Sequence, residues 1–161
     1  MIEKINKSIE NSLTGLTTSI LGVAEPIVIT NEEETIVPMI VLPDGECLSI
    51  LDDEKDICVY HKINKKTYVK EENRGYGDRP KVSSNTDMSL LCYGFRDKIS
   101  QLDAERLITS AIMPYVSIES VEFSRITILS SEFLGIQFFL QPNVFLFRIN
   151  YRMKEKMKSC N

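Results

Sequence analysis

Apolar residues recur at spacings of three and four over residues 2–21, where Ile2, Ile5, Ile9, Leu13, Leu16 and Ile20 form one stripe among lysine, glutamate, asparagine and serine. That period predicts an amphipathic helix of about five turns. Gly22 supplies a stop, and the helix cannot pass Pro26. A helix with a single apolar stripe gains its stability by packing, so it must lie on a sheet or on a neighbouring subunit.

The pattern then shortens to strand-like segments. Pro26–Thr30 is β-branched, and Thr35–Leu42 is longer but contains Pro38, which argues for an edge strand or a bulge. Pro43-Asp44-Gly45 reads as a turn, because proline presets φ and glycine accepts positive φ. Glu46–Leu51 and Ile57–Ile63 flank the acidic run 52–56 and are read as a hairpin. In the register that puts Leu51 beside Ile57, Glu46 meets Lys62, Leu48 meets Tyr60, Ser49 meets Val59 and Cys47 meets His61. Thr67–Lys70 adds a short strand after an Asn64-Lys65-Lys66 turn, and residues 71–85 are read as a polar, flexible loop.

Met88–Phe95 reads as a buried strand. Ser100 caps the next helix, with Asp103 in the capping-box position, and Pro114 ends it near Met113. Leu107, Ile108, Ala111 and Ile112 share one side of it. Val121–Leu129 alternates as a strand, and Gly135–Arg152 is broken by Pro142. Beyond the proline, Phe145, Phe147, Ile149 and Tyr151 share one strand face. The apolar residues on both sides of Phe138–Leu140 suggest a partner subunit over the second face. The expected fold class is α+β, with the N-terminal amphipathic helix and one central helix packed on a mainly antiparallel sheet. Residues 1–152 form a single domain, followed by a basic, frayed tail at 153–161.

Composition narrows the function. A chain of 161 residues, 43% hydrophobic and 26% charged, is of ordinary globular make-up. Its net charge of −4, with no face or tail visibly dominated by lysine and arginine, disfavours sequence-specific nucleic-acid reading. No apolar run reaches membrane-spanning length, so no membrane partner is expected. The start Met1-Ile2-Glu3-Lys4 lacks a secretory pattern, which with the unpaired cysteine spacing gives an expectation of an intracellular protein.

Candidate chemistry is sparse. Cys47 opposite His61, the only histidine, has the make-up of a nucleophile and base or of two metal ligands. Spacing supplies no third ligand, and a packed imidazole is the plainer reading. In the same register Cys58 falls too far along from Cys47 for a disulfide. The acidic run 52–56 lacks the spacing and glycine of a calcium loop, and Glu32-Glu33-Glu34 reads as an exposed turn. Gly75-Tyr76-Gly77 has no lysine-threonine partner for a phosphate cradle. With Arg74 and Arg79 it forms a candidate interaction loop instead: Arg74, Gly75, Tyr76, Gly77 and Arg79. No catalytic residue, cofactor or metal is assigned.

The order of segments resembles the tail-terminator and tail-completion family of bacteriophage neck proteins. The features that carry the likeness are the Ile5-Ile9-Leu13-Leu16 helix, the Leu48–Ile63 hairpin, the loop around Gly75-Tyr76-Gly77, Asp103-Ala104-Glu105-Arg106-Leu107 and the Phe145–Arg152 strand. The resemblance covers most of the chain and is one of layout. It implies a non-enzymatic virion structural subunit, assembled in the host cytoplasm as a homo-oligomeric ring. Such a ring contacts portal, neck or tail-tube proteins, and DNA only passes through its lumen. Two other expectations stand beside it: a small-molecule binding or cofactor-free enzyme domain using Cys47 and His61, and an adaptor binding through loop 71–85.

Overall fold

The structure, a computed structural model, describes residues 1–30, 32–33, 36–49, 54–71, 81–133 and 142–156. The chain runs α1 (Ile2–Ser12), β1 (Thr18–Val23), β2 (Glu25–Thr30), β3 (Ile36–Val41), β4 (Cys47–Ser49), β5 (Ile57–Glu71), β6 (Lys81–Phe95), α2 (Gln101–Ile112), β7 (Ser117–Glu122), α3 (Arg125–Glu132) and β8 (Val144–Lys156). This is an α+β fold. A five-stranded sheet has the order β1-β5-β6-β8-β7, and a second sheet has the order β2-β3-β4. β1 lies parallel to β5, while every other neighbouring pair is antiparallel.

Both faces of the large sheet carry a core. On one, α1 places Ile5 and Ile9, and α2 places Ala104, Ile108 and Ile112, against Val59, Leu90, Phe147 and Ile149. The Ser8 hydroxyl donates to the Ala111 carbonyl at 2.8 Å and ties the two helices together. The other face is covered by α3, with Ile128 and Leu129, and by the small sheet, with Ile40, packed on Tyr60, Leu91, Tyr93 and Leu146. The chain therefore supplies its own second layer there. Phe138–Leu140, on which a partner-covered face was expected, lie outside the described residues.

The first helix is half its expected length. Gly15, at φ +86, takes a conformation that other residues rarely adopt, and it turns the chain into β1. Leu16 and Ile20 still pack on the helix-side core, Ile20 from a strand. An apolar position thus kept its burial and changed its element. The central helix is as expected: the Ser100 hydroxyl accepts the Asp103 N–H at 3.1 Å, although Leu107 is exposed.

The expected Val121–Leu129 strand is corrected. β7 ends at Glu122 and α3 follows, capped by the Ser124 hydroxyl accepting from the Thr127 N–H at 3.3 Å. Ile128, Leu129 and Phe133 reach the second core only at helical spacing.

The expected Glu46–Ile63 hairpin does not form. β4 turns back through Pro43-Asp44-Gly45 onto β3, with Cys47 opposite Val41 and Leu48 opposite Ile40. β5 pairs with β1 and β6 instead. Pro38 lies in the middle strand of the small sheet, opposite Val28, just past the stretch from Met39 to Val41 that pairs with β4. Its missing N–H therefore costs no described ladder bond.

The loop expected at 71–85 is corrected at its ends, and residues 72–80 lie outside the described residues. Glu71 ends β5 and Lys81 begins β6, because Val82 to Asn85 pair with β5 on one side and, from Ser83, with β8 on the other. Nor does the tail begin at Met153: β8 continues to Lys156, and Met153 is buried in the helix-side core.

Gly94 shows how tightly the sheet closes. It lies between Ile57 and Phe145, and a Cβ at this position would sit in the Phe145 ring. Gly94→Ala is expected to lower stability by about 2 kcal/mol through overpacking, read as a shift in the urea midpoint. Gly94→Ala combined with Phe145→Leu should recover part of it; an unchanged midpoint in the single variant would show that the ring yields freely.

Candidate functional site

Strands β5 and β6 are each fifteen residues long and outrun the helical layers. β1 follows β5 only as far as His61, where the Ala24 N–H donates to the His61 carbonyl and the chain departs into β2. From Lys62 to Glu71, ten residues of β5 have no described strand on that side. With β6 and the end of β8 they form a three-stranded arm. Such an edge presents unpaired backbone donors and acceptors, the usual template for a further strand. Ile63, Tyr68 and Val69 on it are 51%, 59% and 41% exposed.

Two hydrogen-bonded devices hold the arm at its base. On one face a polar ladder crosses four strands: the Asn64 amide donates to the Ser89 hydroxyl (2.7 Å), Ser89 to the Asn150 carbonyl oxygen (2.9 Å), and the Asn150 amide to the Ser120 hydroxyl (3.0 Å). Asn64 is the residue left over where the β5–β6 register shifts. The bulge and the ladder therefore mark the same level, where the apolar core gives way to the arm.

On the other face, His61 is fully buried. The Asn6 amide donates to the Leu21 carbonyl at 3.0 Å, so its oxygen faces His61 Nε2 at 2.6 Å. That arrangement makes Nε2–H the donor and leaves Nδ1 to accept from the Tyr151 hydroxyl at 2.6 Å. The imidazole thereby joins α1, β5 and β8. Burial lowers its pKa from 6.5 to about 4. Burial also pushes the Tyr151 phenol up. The histidine is a neutral structural link at ordinary pH.

Beneath α3, Arg148 and Lys62 bind Glu132, whose side chain is 2% exposed, at 2.7 and 2.9 Å. Arg148 Nε also donates to Glu122 at 2.6 Å. Burial alone would lower the Arg148 pKa, but the hydrogen bonds to Glu132 and Glu122 outweigh it and raise the value. The neighbouring Tyr60 and Tyr93 phenols are pushed well up, chiefly by burial. Both stay protonated at neutral pH.

Cys47 and His61 are not brought together. Cys47 is exposed on β4 of the small sheet, whereas His61 lies in the core of the large one, opposite Leu90. Among the described residues, Cys47, Cys58 and Cys92 form no disulfide. Among the described residues no three histidine, cysteine or acidic side chains group as metal ligands, and no helix is long and apolar enough to cross a membrane. The interaction loop Arg74, Gly75, Tyr76, Gly77 and Arg79 lies outside the described residues. The acidic run 52–56 does so in part, as does Glu34 of the glutamate triplet.

What linear reading missed is the segregation of charge. The sequence shows no basic face, yet the fold builds one. Among the side chains described, Lys62, Lys65, Lys66, Lys70, Arg152, Lys154 and Lys156 share the arm with two acidic residues, Asp87 and Glu155. Among the described residues from Glu25 to Ser49, the small sheet and its turns carry Glu25, Glu32, Glu33, Asp44 and Glu46 and no lysine or arginine. A chain of net charge −4 thus carries a small sheet with acidic turns and a basic arm. No protein-family model matches the chain, and no curated protein matches it.

Proposed function

We propose that this chain is a structural virion subunit of the phage neck or tail-terminator kind, working by self-association into a ring. The observation that carries the reading is the arm: a three-stranded extension on which ten residues of β5 have no described strand on one side, the kind of edge that pairs with another chain. The layout supports it as well. An N-terminal helix, the β2-β3-β4 meander, a later helix and closing antiparallel strands follow one another, which agrees with those parts of the layout of such proteins. Unlike surfaces that meet head to tail close into a ring when the rotation permits. Portal, neck or tail-tube proteins would bind the faces of that ring, and DNA would pass through its lumen. The separation of Cys47 from His61 removes the geometry on which the enzyme reading depended.

Native mass spectrometry across a concentration series tests the proposal. A discrete ring that forms with increasing concentration is the expected result. A strictly monomeric chain at the highest concentration, with or without tail-tube or portal protein, would sink it.

A further inference from the structure

Resting on the self-association reading, we infer which surfaces meet: the basic arm of one copy docks along the β2-β3-β4 sheet of the next, at Glu25 and the acidic turns of that sheet. Within one chain these two surfaces do not satisfy each other. Among the described residues Lys65, Lys66, Lys70, Lys154 and Lys156 form no ion pair; the only arm ion pairs run from Lys62 to Glu132 and from Arg152 to Asp87 and Glu119. An open cleft of about 500 Å³, lined by Ala24, Glu25, Leu42 and Pro43 and by Lys62 and Ile63, lies between the small sheet and the arm base. Lys65, Lys66 and Lys70 lie along β5 itself and Lys154 and Lys156 on β8, and Lys66 sits over the exposed Tyr68 ring at 5.5 Å from its centroid.

The occupant follows from charge. Like copies repel unless opposite charges are juxtaposed, and an arm whose described side chains are seven basic against two acidic has a complement among the described residues of this chain. That complement is the small sheet with its turns, where five acidic residues and no basic one are described. Glu25, Glu32 and Glu46 are exposed on it. The contact joins two different surfaces, so each copy offers one arm and one small sheet with acidic turns. This gives every subunit both a donor and an acceptor side. Lysines on a bare edge also keep arms from pairing with one another, which directs each arm to the sheet.

The test is a charge exchange in the full chain. One variant carries Lys65→Glu, Lys66→Glu and Lys70→Glu; the other carries Glu25→Lys, Glu32→Lys and Glu46→Lys. Each alone should raise the dissociation constant of assembly about a hundredfold, as read by analytical ultracentrifugation. Mixed in equal amounts they should co-assemble, because every reversed arm then finds a reversed sheet, and this rescue shows that both variants fold. Raising the salt should weaken the unsubstituted assembly, since surface charge is screened. If the unsubstituted chain assembles and either variant assembles equally well, this contact is wrong and the assembly reading stands. Loss of assembly without rescue on mixing also overturns the contact, as does an arm variant that assembles normally but loses binding to a duplex DNA probe. A chain monomeric at every concentration overturns both.

Discussion

Arg148→Met is expected to destabilise the fold by about 3 kcal/mol, the cost typical of removing one partner from a buried ion pair. Arg148 is the central cation of the second core. It holds Glu132 of α3 and Glu122 of β7, and its Nη1 also donates to the Ser131 hydroxyl at 2.7 Å. Glu132 would be left with Lys62 alone, in a position where its side chain is 2% exposed. Methionine fills most of the space of the arginine stem, so the loss reports the unpaired charge rather than a cavity. Arg148→Met with Glu132→Leu should regain much of the stability, because buried pairs replaced by apolar groups are often neutral. Lys62, 28% exposed, can then turn to water. Urea unfolding of both variants decides the matter. A double variant no more stable than the single would show that the charges are not what Arg148 serves. Since α3 and Lys62 brace the arm base, the single variant should also loosen assembly.

The second large effect depends on pH. His61 is neutral in the fold down to about pH 4, whereas in the unfolded chain it gains a proton near 6.5. Above pH 6.5 neither state is protonated there, and the group adds no slope. Between 6.5 and about 4 the unfolded chain binds a proton that the fold excludes, so stability falls as the solution is acidified. Over that window the loss is about 3 kcal/mol. Carboxylates titrate over much of the same range, so the readout is the difference between the protein and His61→Gln. Glutamine cannot be protonated there and keeps hydrogen-bonding groups for Asn6 or Tyr151. At pH 7 the variant should be the less stable, and its deficit should shrink by about 3 kcal/mol on going to pH 4. A deficit constant with pH would show that the histidine is protonated in the fold, or reaches water.

Much of the fold was readable along the chain wherever a local rule decides the outcome. The Ser100 cap with Asp103, the Pro43-Asp44-Gly45 turn, the Pro26–Thr30 strand and the Phe145-Phe147-Ile149-Tyr151 face depend on neighbours within a few residues. Each is present in the structure. The errors came where two elements satisfy the same apolar pattern. Leu16 and Ile20 fit a helical stripe and also a strand entering after Gly15. Ile126 to Leu129 fit an alternating strand until α3 is needed to cover the second core.

By itself, then, the sequence determined an α+β chain with an amphipathic start, a capped central helix and an apolar closing strand. It also determined which residues seek burial, because hydrophobicity and backbone preference act locally. Only the tertiary structure decided partners across the sheets. It separated Cys47 from His61, sent His61 to Asn6 and Tyr151, and stacked β5, β6 and β8 so that lysines far apart in the chain stand together on one arm. Strand pairing is settled by contacts distant in sequence, and a change of partner or of one residue in register redirects every side chain along the strand.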